Sequence, residues 1–141
     1  MEKPEISGDA IIIPSDAAFL AAVDEFIENK LINVGVSSSL VADMAISVTE
    51  IVNNAIVHGN KNNSNKIIAI KVKFIGNDAI VSIKDQGQGF NPDIVPNPIE
   101  ESNLLNKVGR GIFIVRALMD SVNFHFTDTG TEVVLKKRIK K

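Results

Sequence analysis

Glu50-Ile51-Val52-Asn53-Asn54, set within the apolar stretch from Ser38 to His58, is the segment on which the fold reading turns. Leu40, Met44, Val48, Ile51 and Ala55 fall on one helical stripe, with Val41, Ala45, Val52 and Ile56 beside it. An apolar surface that wide predicts a helix buried over most of its circumference, with Gly59 as its stop signal. Glu50, Asn54 and His58 nevertheless recur every four residues along one face, and Ser47 extends that face by a turn. Polar groups on a buried helix need partners, because each one left unsatisfied costs roughly 1–3 kcal/mol. Such a stripe either faces solvent or lines a binding site.

Working outward, Ile6 to Ile13 ends in a β-branched run stopped by Pro14, which predicts a first strand. Ser15 is placed to cap a helix over Asp16 to Leu31, whose apolar face carries Phe19, Ala22, Val23, Phe26 and Ile27, and Gly35 marks its end. After the polar segment Asn60 to Lys66, strands are predicted over Lys66 to Ile75 and Ala79 to Lys84, joined around Gly76-Asn77-Asp78. Asp85 to Val108 is rich in Gly, Pro and Asn, with Pro98 able to open a short helix through Leu105. A third helix is read over Gly111 to Ser121. A last hairpin follows, Val122 to Phe126 and Thr131 to Arg138, turning at Asp128-Thr129-Gly130. The order predicts an α+β fold: a two-layer sandwich, with a mixed, mainly antiparallel β-sheet covered on one face by three helices, in a single domain over residues 1–141.

Composition narrows the classes. The 141 residues are 45% hydrophobic and 23% charged, an ordinary globular balance. A net charge of -2, a pI of about 5.7 and the lack of Trp and Tyr argue against a nucleic-acid surface. The basic run Lys136 to Lys141 reads as a solvated tail. With no cysteine, disulfides, thiolate chemistry and sulfur-ligated metals are excluded. Ala10 to Ile13 is too short for a signal-peptide core, and no apolar run approaches the ~20 residues of a membrane span. A cytoplasmic protein without membrane contact is the expectation.

Three polar motifs carry the chemistry. Asn54 is suited to be a neutral oxygen ligand for Mg²⁺, which prefers phosphate oxygens and water for the rest of its shell. Glu50, one turn earlier, is placed to accept a proton from an attacking hydroxyl or water. In Asp85-Gln86-Gly87-Gln88-Gly89, Asp85 ends a strand, where a carboxylate can accept a hydrogen bond from the exocyclic amine of adenine. Gly87 and Gly89 would let backbone approach the base. A plain turn is the alternative; a Rossmann fingerprint fails, since no third glycine follows and Asn91-Pro92 stands where its helix should begin. Gly109-Arg110-Gly111, directly before the third helix, offers free N–H groups to an anion, with Lys107 and Arg110 adding positive charge. Alone, that segment reads as a helix-entry loop. Taken together, the three are the parts of an ATP pocket.

In that combination the chain resembles the GHKL superfamily of ATPases, which share the Bergerat ATP-binding fold. Glu50 to Asn54 is similar to its N box, Asp85 to Gly89 to its G1 box and Gly109 to Gly111 to its G2 box. Gly130-Thr131 resembles the position from which a threonine helps hold adenine, and Phe90 to Val108 the ATP lid. Val48-Thr49-Glu50 with Asn54-Ala55, His58-Gly59 and Gly111-Ile112 through Leu118-Met119-Asp120 resemble the anti-sigma-factor serine/threonine kinases of the RsbW type. The resemblance implies ATP and Mg²⁺ as cofactors. It also implies phosphorylation of a serine on a STAS-type anti-anti-sigma protein, binding of a sigma factor, and action as a homodimer. Two other readings stay open: a stand-alone histidine-kinase-like catalytic subunit, and a non-catalytic module that holds a regulator under nucleotide control.

Overall fold

The computed structural model describes residues 2–87 and 103–140. The N-terminal apolar run forms two strands, β1 (Glu5–Ser7) and β2 (Ala10–Pro14), instead of the single strand expected over Ile6 to Ile13. Gly8 is the reason: at φ 57° it reverses the chain, so that Glu5 pairs with Ile12 and Ser7 with Ala10. The next helix also starts later than predicted. Asp16, not Ser15, caps a short 3-10 turn at Ala17–Phe19 by accepting from the Ala18 N–H at 2.9 Å, and α1 (Leu20–Asn33) follows. It ends before Gly35, which takes φ 81°.

α2 (Ser38–Asn54) is α-helical only as far as Asn54; Ala55–Gly59 continues as a wider π turn. The Asn60 N–H closes it on the Ala55 carbonyl, five residues back, at 2.8 Å. The hairpin β3 (Ile67–Ile75) and β4 (Asp78–Lys84) forms as read. Of the short helix expected from Pro98 to Leu105, residues 98–102 lie outside the described residues. From Asn103 onward the chain is already in α3 (Asn103–Leu118), which therefore begins well before the predicted Gly111. β5 (Ser121–Thr127) and β6 (Gly130–Arg138) close the fold.

The six strands are ordered β1-β2-β3-β4-β6-β5, and every described pairing is antiparallel, so the sheet is not mixed. Strand alternation puts Ile11, Ile13, Ile68, Ile70, Val72, Val81, Ile83, Val133 and Leu135 on the helix-facing side, all buried. Against them pack Val23, Ile27 and Leu31 of α1, Met44, Val48 and Ile51 of α2, Val115 of α3 and Met119 just after it. The 22 residues Ser38–Gly59 are long and apolar enough to span a membrane, contrary to the reading of the sequence. Here that helix is the centre of the core, where Met44, Val48 and Val52 are wholly buried.

Met44 sits at that centre, and truncating it leaves a void the rigid layers fill only in part. Met44→Ala should cost about 2–5 kcal/mol of unfolding free energy, measured by urea denaturation; a loss below ~1 kcal/mol would contradict this packing.

Candidate functional site

The end of α2 and its π turn stand over strands β4, β5 and β6, enclosing an open cleft with about 360 Å³ of unfilled space. Its walls are Ile51, Ala55, Ile83, Phe124 and Val133, a mostly apolar slot, with the polar atoms of Asn54, Asp85 and Thr131 entering it. Phe124 is steadied by Phe126, whose ring stacks on it at 6.3 Å, and by the Arg116 guanidinium 5.9 Å above its ring.

Asp85 is the anchor, 5% exposed at the exit of β4. Its Oδ1 accepts from the N–H groups of Gly87 at 3.0 Å and Thr131 at 3.1 Å. Both of these bonds fall on one oxygen, and Oδ2 accepts none among the described residues. The backbone closes tightly around it: a Cβ on Gly59 would overlap the Asp85 carboxylate, one on Gly87 the Gly59 carbonyl, and one on Gly130 the Asp85 carbonyl. Gly87 thus lets backbone approach backbone at this point. Burial pushes the Asp85 carboxyl above its ordinary range, while the Gly87 and Thr131 N–H groups and the Lys66 charge pull it back.

On the helix side, the Asn54 Nδ2 and the Thr131 Oγ1 are buried with no hydrogen-bond partner among the described residues, and so is Ser47 Oγ. The first two belong to residues lining the cleft, so a ligand bound there can satisfy them. Gly111 of α3 faces the polar stripe. A Cβ there would stand 2.8 Å from Glu50 Oε2 and 3.9 Å from Asn54 Nδ2. Glu50 is only half-buried and so reachable from outside.

Several sequence expectations change. Gly109, Arg110 and Gly111 lie inside α3 with Lys107, so their N–H groups belong to the helix ladder and the helix-terminus anion site is not formed. Of that segment, Gly111 is described against the stripe. His58 falls within the π turn and is not among the described lining of the cleft; burial lowers its pKa. Gly89 and residues 90–102 of the expected lid lie outside the described residues, and residues 103–108 are helical. Ile51, Ala55, Ile83, Phe124 and Val133 were not singled out, although the alternation Val122, Phe124, Phe126 already set Phe124 on the face of Val133.

The family model for the histidine kinase-like ATPase domain matches residues 13–137, which takes in the whole cleft. The chain belongs to that family. Among relatives of this histidine kinase-like ATPase, an "Anti-sigma F factor" of Clostridium perfringens is 28% identical over 99% of this chain and 92% of its own length. A "Serine-protein kinase RsbW" of Staphylococcus aureus is 26% identical over 92% and 85%. The fold is similar to the RsbU and RsbW domains of Rv1364c from Mycobacterium tuberculosis, with a TM-score of 0.67 at 19% identity, covering 99% of this chain and 33% of that one. It is also similar to the histidine kinase domain of the Erythrobacter litoralis EL346 blue-light activated histidine kinase, at 0.58 and 20% identity, covering 90% and 62%. The family implies ATP, and an apolar slot ending in a buried carboxylate suits a purine.

The raised Asp85 value has a measurable consequence. The ionised carboxylate weakens the ligand-free fold at neutral pH, and the penalty fades as pH falls and the group protonates. Asp85→Asn keeps the Oδ1 acceptor. It should raise the thermal midpoint at neutral pH, by a margin that narrows toward acid; melts from about pH 4 to 8 check this. A margin that widens toward acid would mean the carboxylate is stabilising.

Proposed function

We propose that this protein is an ATP-dependent serine kinase and anti-sigma factor, one that phosphorylates a STAS-type anti-anti-sigma protein and binds a sigma factor. The observation that carries the reading is the convergence of Asp85, Thr131 and Asn54 on one cleft, with Glu50 a single turn away on the same helix. The names of the Clostridium and Staphylococcus relatives supply the substrate class and the partner. A homodimer working in the cytoplasm belongs to the same proposal.

Adenine enters the apolar slot, and its exocyclic amine donates to Asp85 Oδ2 while the Thr131 hydroxyl joins the ring edge. Guanine carries an oxygen at that place and would meet a second acceptor. Asn54 would hold Mg²⁺ jointly with phosphate oxygens, and the ion would supply charge neutralisation on the triphosphate. The orphaned Asn54 amide fits that task, since a half-turn of the side-chain amide brings its oxygen where the nitrogen now points. Glu50 takes the proton of the incoming serine hydroxyl as the serine oxygen bonds to the γ-phosphorus and the bond to the ADP oxygen breaks. Gly111 matters because any side chain there would press on Glu50.

The test is incubation with labelled ATP, Mg²⁺ and a STAS-class acceptor. Label on serine, stable to acid and lost in base, is the expected result. Acid-labile, base-stable label would indicate phosphohistidine instead, and tight ATP binding without transfer would indicate a nucleotide-controlled binding module. Glu50→Ala should keep ATP affinity and lose transfer by about 10²-fold or more, the usual general-base contribution. Asn54→Ala should lose Mg-ATP binding, and Asp85→Asn should weaken ATP binding, both read by titration calorimetry. Full transfer by Glu50→Ala would remove it as the base.

A further inference from the structure

Asn60 is 1% exposed and belongs to none of the three motifs, yet its side chain joins four separate segments. Its Nδ2 donates to Ser15 Oγ at 2.6 Å and to the Ile67 carbonyl at 3.0 Å, and its Oδ1 accepts from the Gln86 N–H at 2.8 Å. The circuit closes on itself: the Gln86 side-chain Oε1 accepts from the Ile67 N–H at 2.8 Å. Ser15 passes its hydroxyl proton on to the Lys66 carbonyl at 2.9 Å. Every bond is within good geometry, and Asn60 uses both amide hydrogens and its oxygen. A buried asparagine so fully engaged fixes the position of whatever it holds.

What it holds is the peptide that follows Asp85. The Gln86 N–H is the donor of that peptide, so the bond to Asn60 Oδ1 sets the plane of the link between Asp85 and Gln86. The next N–H, that of Gly87, donates to the Asp85 carboxylate. Gly87 packs against the Gly59 carbonyl, immediately before Asn60, so backbone contact and side-chain bond act on the same two residues. Asn60 directly follows the π turn, and its own N–H is bonded to the Ala55 carbonyl, which holds its backbone while the side chain reaches Ser15, Ile67 and Gln86.

We infer that Asn60 is a positioning residue for nucleotide selection: through Gln86 and Gly87 it aims the Asp85 carboxylate, and so sets the preference for adenine over guanine. The inference rests on the proposed adenine site and deepens it. Its two halves separate. The Nδ2 bonds to Ser15 and Ile67 tie β2, β3 and the π turn together and serve stability. The Oδ1 bond to Gln86 serves the base.

The experiment measures ATP and GTP affinities of wild-type, Asn60→Ala and Ser15→Ala proteins by calorimetry, beside thermal melts. Ser15→Ala removes a bond on the Nδ2 side only, and should lower the thermal midpoint with the ATP-to-GTP ratio unchanged. Asn60→Ala should lower the midpoint too, and in addition reduce that ratio by about tenfold, on the order of one misaligned hydrogen bond to the base. Equal ratios in wild-type and Asn60→Ala proteins, with ATP still bound, would overturn the role of Asn60 and leave the adenine site standing. A wild-type chain that binds neither nucleotide would overturn the site itself. If Asn60→Ala does not fold, amide exchange of the wild-type chain decides. The Gln86 N–H should be protected, and exchange at the rate of a free loop would overturn the inference.

Discussion

A carboxylate sealed into the end of a β-sheet is a costly group, and the site is organised around keeping Asp85 there in usable form. Burial opposes its charge, two backbone N–H groups and the Lys66 charge support it, and both N–H bonds meet a single oxygen. The other oxygen carries no bond among the described residues and, in the proposed function, takes the base. Three segments come close enough for this only because they carry no side chain at the contact: Gly59 beside the carboxylate, Gly87 on the Gly59 carbonyl, and Gly130 on the Asp85 carbonyl. The glycines are thus spacing elements between backbones, and the pocket floor is backbone packed on backbone.

The long helix α2 answers a different demand. It has to be the core of the two-layer fold and one wall of a polar site at once. Met44, Val48 and Val52 meet the first requirement, wholly buried against sheet and neighbouring helices. Glu50 and Asn54 meet the second from the side facing α3, where Gly111 leaves room for them. The cost is visible in the orphaned Asn54 and Thr131 atoms, which a self-contained fold would have satisfied. Under the proposed function a bound nucleotide would supply what they lack, so that part of the site's stability would be deferred to the ligand.

How much of this was legible follows the range of the interactions. Apolar periodicity located α1, α2 and the β3–β4 hairpin, and four-residue spacing put Glu50 and Asn54 on one face, because those signals are local. The split of β1 from β2 at Gly8 was missed, since a glycine between apolar residues says nothing of its φ. The helix-terminus reading of Gly109 to Gly111 failed because the glycines looked like a boundary, while α3 starts at Asn103 and carries them in its interior. Asn60 had no signal at all: its partners Ser15, Ile67 and Gln86 lie at separations from 7 to 45 residues.

By itself the sequence determined the inventory: one acidic and one amide group on a buried helix, a carboxylate at a strand end, and small residues where chains must pass closely. Periodicity and residue chemistry are properties of short stretches, and short stretches are what a sequence displays. Only the tertiary structure decided which of those groups share a cleft, which glycine touches which carbonyl, and which oxygen of Asp85 stays available. Those are facts of distance between segments remote along the chain, and packing of the sheet against its helices is what sets them.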